Sequence, residues 1–159
     1  MKSLKNFLDK FLISTSACLF ILMTVVGTYQ ILTRYLFNKP STVSEEIISF
    51  AFAWMSMFAA SYVFGKRDHM RMVFFIERFS EKTQNIVAFI SEIVVLLFSI
   101  GILMYGGFKI VMLTMSQTTP ALQIPMGFAY SVIPISGVFV SIYNVINLFE
   151  ILDKIKGGK

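Results

Sequence analysis

Apolar residues occupy this chain in four long stretches, and the charges fall almost entirely between them. Phe11 to Thr33, Ile47 to Gly65, Ile93 to Phe108 and Ile110 to Phe149 contain no charged side chain. A helix needs roughly 20 apolar residues to cross the hydrocarbon of a bilayer, so the first two stretches supply one crossing each. The third is shorter, but Ile86 to Ile90 extends it upstream if Glu92 lies near a membrane surface, where a charge costs less than at the midplane. The fourth is about twice the required length, and Ser116, Gln117, Thr118, Thr119 and Pro120 interrupt it with a loop. Pro125 then suits the first turn of a new helix, where its missing N–H has no partner to lose. The pattern predicts an all-α integral membrane protein, a single membrane domain over residues 1–159, with four transmembrane helices near 11–33, 47–65, 86–115 and 125–149.

Residues 70–82, MRMVFFIERFSEK, follow a different rule. Met72, Phe75, Ile76 and Phe79 recur at helical spacing, with Arg71, Glu77, Arg78, Glu81 and Lys82 mostly opposite. Too short and too charged to cross, this segment is expected to form an amphipathic cytoplasmic interfacial helix along the headgroups. A solvated connector would leave its apolar face uncovered.

Composition supports the membrane assignment, because 56% hydrophobic and 14% charged residues leave too little polar surface for a soluble domain. Counting Lys109 with the connection after the third span, one side of the membrane holds 11 lysines and arginines and the other 3. The positive-inside rule therefore predicts that both termini are cytoplasmic. That asymmetry also accounts for the net charge of +5 without nucleic acid as a partner. MKSLKNFLDK resembles the basic head of a signal peptide, but the apolar run after it is too long and lacks a small-residue cleavage site, so an uncleaved first helix is expected.

Catalytic chemistry finds no footing. Cys18 and His69 are single, which removes intrachain disulfides, two-histidine haem ligation and multi-histidine metal sites, and no nucleophile–base pair or phosphate-binding glycine loop is present. Neither an enzyme nor a bound cofactor is expected.

The candidate functional residues are therefore polar groups in unusual places. Glu92 lies inside a span, which makes it either a proton or cation site or a structural charge meeting Lys66, Arg67 or Arg71 at the same membrane edge. Trp54 sits near the middle of the second span although membrane tryptophans favour the interfaces, so something there should receive its N–H: a helix of this chain or a groove on a second protein. Gly101, Gly106, Gly107, Gly137 and Ser141 permit close helix approach. In RYLFNKPSTVSEE, residues 34–46, Pro40 disfavours helix at Lys39 and Asn38 suits a turn. Ser44 is expected to cap the second helix, with Glu45 and Glu46 favoured at the positive end of its dipole and Arg34 positioned to pair with either.

The segment QILTRYLFNKPSTVSEEIISFAFAW, followed by GKRDHM and later by TPALQIPMGFAYSVIP, resembles the small membrane subunit (DctQ-type) of tripartite ATP-independent periplasmic (TRAP) transporters. The likeness covers most of the chain. It is most specific at Arg34-Tyr35, at Ser44-Glu45-Glu46 with Trp54 downstream, at His69, and at Ala121-Leu122-Gln123-Ile124-Pro125 leading to Tyr130 and Pro134. Val43 departs from it, because the family often has an aromatic residue there.

The resemblance implies a non-catalytic subunit in the bacterial inner membrane that braces the static scaffold of a large, multi-span, elevator-type subunit, with phospholipid at the joint. That large subunit moves an organic acid, of the C4-dicarboxylate or sialic acid type, together with sodium. A periplasmic binding protein delivers the acid, and Asn38, Lys39 and Ser41 are the expected docking residues. Arg34, Glu45, Glu46, Trp54 and Glu92 are expected to be structural or to face the large subunit. A self-sufficient proton-coupled exporter working as a homodimer, with Glu92 as its proton site, and a lipid-interacting structural protein are the alternatives.

Overall fold

The computed structural model describes residues 2–66 and 81–157. Met72, Phe75, Ile76 and Phe79 of the expected amphipathic helix lie outside the described residues, as do Arg67, His69 and Arg71. The elements are α1 (Lys2–Leu36), α2 (Thr42–Lys66), α3 (Glu81–Phe98), a π-helical segment (Ser99–Gly106), α4 (Gly107–Thr114), α5 (Met126–Tyr130) and α6 (Val132–Gly157). The α3, π and α4 stretches run on as one rod, so four helical crossings are long and apolar enough to span a membrane. The first and second continue past the expected span limits at both ends, and the last continues past its C-terminal limit, because a helix does not stop where the apolar run stops; it stops where the backbone is turned aside.

Those turning points are local chemistry. Asn38 adopts a left-handed φ of 49°, a conformation that its short polar side chain tolerates, and the Lys39 N–H reaches back to the Thr33 carbonyl at 3.1 Å. The helix thus ends before Pro40, as the sequence predicts. The next helix is capped by Ser41 rather than by the expected Ser44: Ser41 Oγ accepts the Ser44 N–H at 3.3 Å, and the two hydroxyls lie 2.9 Å apart. Ser44 is then the third helical residue, whose N–H has no partner within the helix and is the one a cap satisfies.

The loop over 115–125 is compact. The Thr119 N–H donates to the Ile124 carbonyl at 2.8 Å and the Met126 N–H to the Gln117 carbonyl at 2.8 Å, closing a short antiparallel bridge between Thr118 and Pro125. Pro125 immediately precedes α5 instead of lying in its first turn. The last crossing is broken at Ser131, between α5 and α6. Pro134 explains the break, since it has no N–H to return to the Tyr130 carbonyl and its ring crowds that carbonyl.

The crossings form a row. α2 packs between α1 and α6, and α6 packs between α2 and the third crossing. Burial follows this order: 44% of the most apolar window of the last crossing is buried, against 6% of that in the first. Leu8, Leu12, Phe58, Val132 and Tyr143 form the core of the α1–α2–α6 contact, with Trp54 edge-on to Phe58 at 5.7 Å.

Against the other side of α6, small residues set the spacing. Ser99 Oγ meets Ser141 Oγ at 2.9 Å. A Cβ on Gly137 would stand 2.8 Å from Leu103 Cβ, and one on Gly107 would stand 3.0 Å from the Pro134 backbone nitrogen. The inward positions Ser99, Leu103 and Gly107 are spaced by four, which in a regular α-helix drifts by about 40° at each step. The π segment lies where this drift must be absorbed, since its wider turn, of more than four residues, rotates positions four apart in the opposite sense. Gly107, Gly137 and Ser141 thus serve the close approach expected of them, whereas Gly101 faces open space.

The seam yields a paired prediction. Gly137→Ala overpacks a contact with no room and lowers stability by about 1–3 kcal/mol, whereas Gly101→Ala, with nothing within 4 Å of its new methyl, gains about 0.5–1 kcal/mol from the helix backbone. Thermal unfolding of the purified variants in detergent measures both; equal shifts would contradict the seam.

Candidate functional site

Two polar clusters, one at each end of the row, hold the residues singled out by the sequence. The first lies at the end that carries both termini, and Asn147 of α6 is its centre. Its side-chain oxygen accepts a hydrogen bond from Lys5 Nζ of α1 at 2.9 Å. Its amide nitrogen donates to Glu92 Oε1 of α3 at 3.1 Å and to the Gly65 carbonyl of α2 at 3.4 Å. One wholly buried amide therefore joins all four crossings.

Around it, Lys66 at the end of α2 pairs with Asp9 of α1 at 2.6 Å, Tyr143 Oη donates to the other Asp9 oxygen at 2.8 Å, and Lys5 also lies 3.5 Å from Glu150. Gly65 makes room for this arrangement, since a Cβ there would press on the Tyr143 ring at 2.5 Å.

Glu92 is buried, with 3% of its surface exposed, and Asn147 is its partner on α6. Of the three cations expected to meet it, Lys66 forms its ion pair with Asp9, and Arg67 and Arg71 lie outside the described residues. What the sequence reading missed is the other side of the pair. Asn144 and Asn147 stand three apart in an otherwise apolar stretch, and that spacing on one helix face was the available signal. Asp9 and Lys5 were hidden in a basic leader pattern, although Asp9 is buried and Lys5 partly so.

The second cluster lies at the loop end. Glu46, in the first turns of α2, accepts the backbone N–H groups of Ala121 and Leu122 on one oxygen, Oε2, at 2.9 and 3.0 Å. The buried Thr119 steadies the same loop, its Oγ1 accepting the Ile124 N–H at 3.3 Å. Glu46 therefore clamps the loop between α4 and α5 to the start of α2. Glu45 Oε1 accepts from Gln30 Nε2 of α1 at 3.1 Å.

The expected pairing of Arg34 with Glu45 or Glu46 is corrected here. Gln30, one turn earlier, reaches Glu45, and the loop backbone occupies Glu46, while Arg34 is exposed and forms no ion pair among the described residues. Asn38 and Lys39 are exposed at the turn, and Ser41 is half-buried because its hydroxyl is the cap. Trp54 is half-buried, and its Nε1–H donates to the Ala129 carbonyl of α5 at 3.1 Å, so the receiver belongs to this chain. Lys109, counted in the sequence with a connection, stands inside α4, its Nζ 4.5 Å from the centre of the Tyr105 ring.

Each buried polar residue among the described ones has a hydrogen-bond partner, on another element or within its own helix, although two buried atoms, Ser16 Oγ of α1 and the second Glu46 oxygen, Oε1, have none. Besides those above, Ser61 donates to the Met57 carbonyl, Ser136 to Ile133 and Asn144 to Val140. The arrangement suits holding helices together, and it leaves no row of waiting ligands through the crossings.

A family model for the tripartite ATP-independent periplasmic transporters, DctQ component, matches residues 23–154. A Haemophilus influenzae protein assigned as a TRAP transporter small permease is 24% identical over 159 residues, which is 100% of this chain and 98% of the relative. The sialic acid TRAP transporter small permease protein SiaQ of Vibrio cholerae is 27% identical over 135 residues, covering 85% of this chain and 78% of the relative. The isethionate TRAP transporter permease protein DctMQ of Oleidesulfovibrio alaskensis is 29% identical over 134 residues, covering 82% of this chain and 21% of that longer one. A match of this extent, carried by four apolar crossings, shows that the chain belongs to the DctQ component family of TRAP transporters and is a small permease component rather than an enzyme.

Proposed function

We propose that this chain is the small subunit of a sodium-driven, binding-protein-dependent carrier of an organic acid in the bacterial inner membrane, with both termini cytoplasmic. It lies along a large multi-span subunit, braces the static part of that elevator-type partner with phospholipid filling the joint, and helps dock the periplasmic binding protein. The observation that carries this reading is the row itself: the polar clusters at its two ends fasten helix to helix, so it suits a stiff plate, and the described residues line no polar path through the crossings.

The relative DctMQ supports the partnership, since the matching region is 21% of a longer permease and the remainder has room for a large membrane subunit in the same polypeptide. Relatives named for sialic acid and for isethionate support an organic anion as substrate. Loop-end residues Asn38 and Lys39, exposed beside a clamped loop, suit an encounter with the binding protein. The exporter alternative requires Glu92 to exchange protons; its buried bond to Asn147 favours a structural charge instead.

Reconstitution tests the reading directly. Proteoliposomes holding this chain alone show no uptake, and uptake appears when the large subunit, the binding protein and a sodium gradient are all supplied; sodium-independent uptake, or uptake by this chain alone, would overturn it. In the complete system Glu92→Gln lowers thermal stability by about 1.5–3 kcal/mol, the scale of a charged hydrogen bond, while uptake per assembled complex is unchanged. Normal assembly with abolished uptake would instead make Glu92 a coupling site.

Topology and docking have separate readouts. In a Cys18→Ser background, a cysteine at Thr118 reacts with a membrane-impermeant reagent from the periplasmic side; labelling only from the cytoplasm would reverse the orientation. Lys39→Glu leaves assembly intact and weakens uptake to an extent that changes with ionic strength, because exposed charges act over about 10 Å at 0.1 M salt. An unchanged rate across salt concentrations would remove Lys39 from the docking surface.

A further inference from the structure

The outer surfaces of the row differ in one respect that hydrophobicity alone conceals. Along α1, the exposed residues Phe20, Ile21, Val25 and Tyr29 belong to an uninterrupted uncharged run from Phe11 to Thr33. Such a face is matched by acyl chains and needs nothing else. Along the third crossing, Tyr105, Phe108, Met112 and Leu113 are each more than half exposed, and Lys109 stands exposed among them. With Ile110 they line an open groove of about 710 Å³.

Lys109 is ill placed for lipid. It precedes the end of α4 at Thr114 by five residues, a depth of about 7.5 Å along the helix axis. A lysine near a membrane surface normally extends its ammonium outward to the headgroups. Here the helix works against that, because side chains lean toward the helix N-terminus, and for α4 that direction leads inward. The ammonium is accordingly drawn one turn back over the Tyr105 ring, at 4.5 Å from its centre. No carboxylate pairs with it among the described residues. Gly101, a further turn inward on the exposed side, has nothing within 4 Å of a would-be Cβ and leaves space for another helix backbone.

We propose that this face, from Gly101 through Tyr105 and Lys109 to Met112, is where the large membrane subunit docks, and that an aspartate or glutamate of that subunit meets Lys109 inside an otherwise apolar contact. The inference rests on the partner assignment made under Proposed function and adds to it the face and the recognising charge. A carboxylate replaces the weak ring contact as counter-charge, and the apolar residues around it exclude water, which strengthens the pair.

Cross-linking in the assembled complex tests the face with Lys109 in place. In a Cys18→Ser background, a photoreactive thiol label at Met112 links to the large subunit, and the same label at Phe20 does not. Links from position 20 and none from position 112, or links from 112 to lipid alone while the large subunit still co-purifies, overturn the proposal and leave the partner assignment standing. Failure of the large subunit to co-purify with the wild-type chain overturns both. For the charge, Lys109→Glu lowers the amount of co-purified large subunit by about tenfold or more, Lys109→Arg retains it, and reversing one acidic residue of the large subunit to lysine restores assembly with Lys109→Glu. Full assembly of Lys109→Glu, with the variant shown to be folded by its thermal transition, removes the carboxylate from the proposal.

Discussion

A single buried amide fixes this architecture. Asn147 uses its oxygen for Lys5 of α1 and its nitrogen for Gly65 of α2 and Glu92 of α3, so one side chain on α6 fastens every other crossing. In a soluble bundle the hydrophobic effect would hold such helices together, but lipid tails are as apolar as the side chains they would release. What remains is close packing and hydrogen bonds that have no water to compete with them. In a row, where the third crossing packs on α6 and not around a shared centre, those few contacts carry the whole arrangement.

The remaining constraints follow from that one. With the terminal end tied at Asn147, the far end would splay unless fastened separately, and Glu46 does this by holding the Ala121 and Leu122 N–H groups. Between the two ties, Gly107, Gly137 and the Ser99–Ser141 pair let α6 and the third crossing touch along their length. Trp54 performs a similar task on the other side of α6, spanning from α2 to the Ala129 carbonyl of α5, the short helix set off by the break near Pro134. The outcome is a plate with two apolar outer faces, fastened at both rims.

Much of this was written plainly in the sequence, and the parts that were not have a common cause. Four crossings are legible because a bilayer imposes a minimum length on uncharged runs, and the stop at Asn38 is legible because Pro40 follows. Glu92 stood out as a charge in the wrong solvent, and Gly107 and Gly137 as the absence of a side chain. Partnerships were not legible. Nothing local told Ser41 from Ser44 as the cap, or Gln30 from Arg34 as the neighbour of Glu45, because those outcomes depend on helix phase to within a single residue. Asn147 was passed over because an amide inside an apolar run carries no charge to draw attention. Lys109 was counted toward the connection, because a charge is naturally read as marking the end of a span, although the expected span 86–115 already contains it.

Helix phase has one more effect, through the wide turns at Ser99–Gly106. One residue added or removed there rotates everything beyond it by about 100° while α3 stays moored at Asn147. The two halves of the third crossing are thereby phased separately: the first is indexed by Asn147, and the second by the fit of Gly107 against Pro134. The direction in which Tyr105, Lys109 and Met112 look is thus a property of helical pitch as much as of side-chain identity. A single residue inserted or deleted in this stretch would re-aim that face with no change to the residues that compose it, and would turn Gly107 away from Pro134 at the same time.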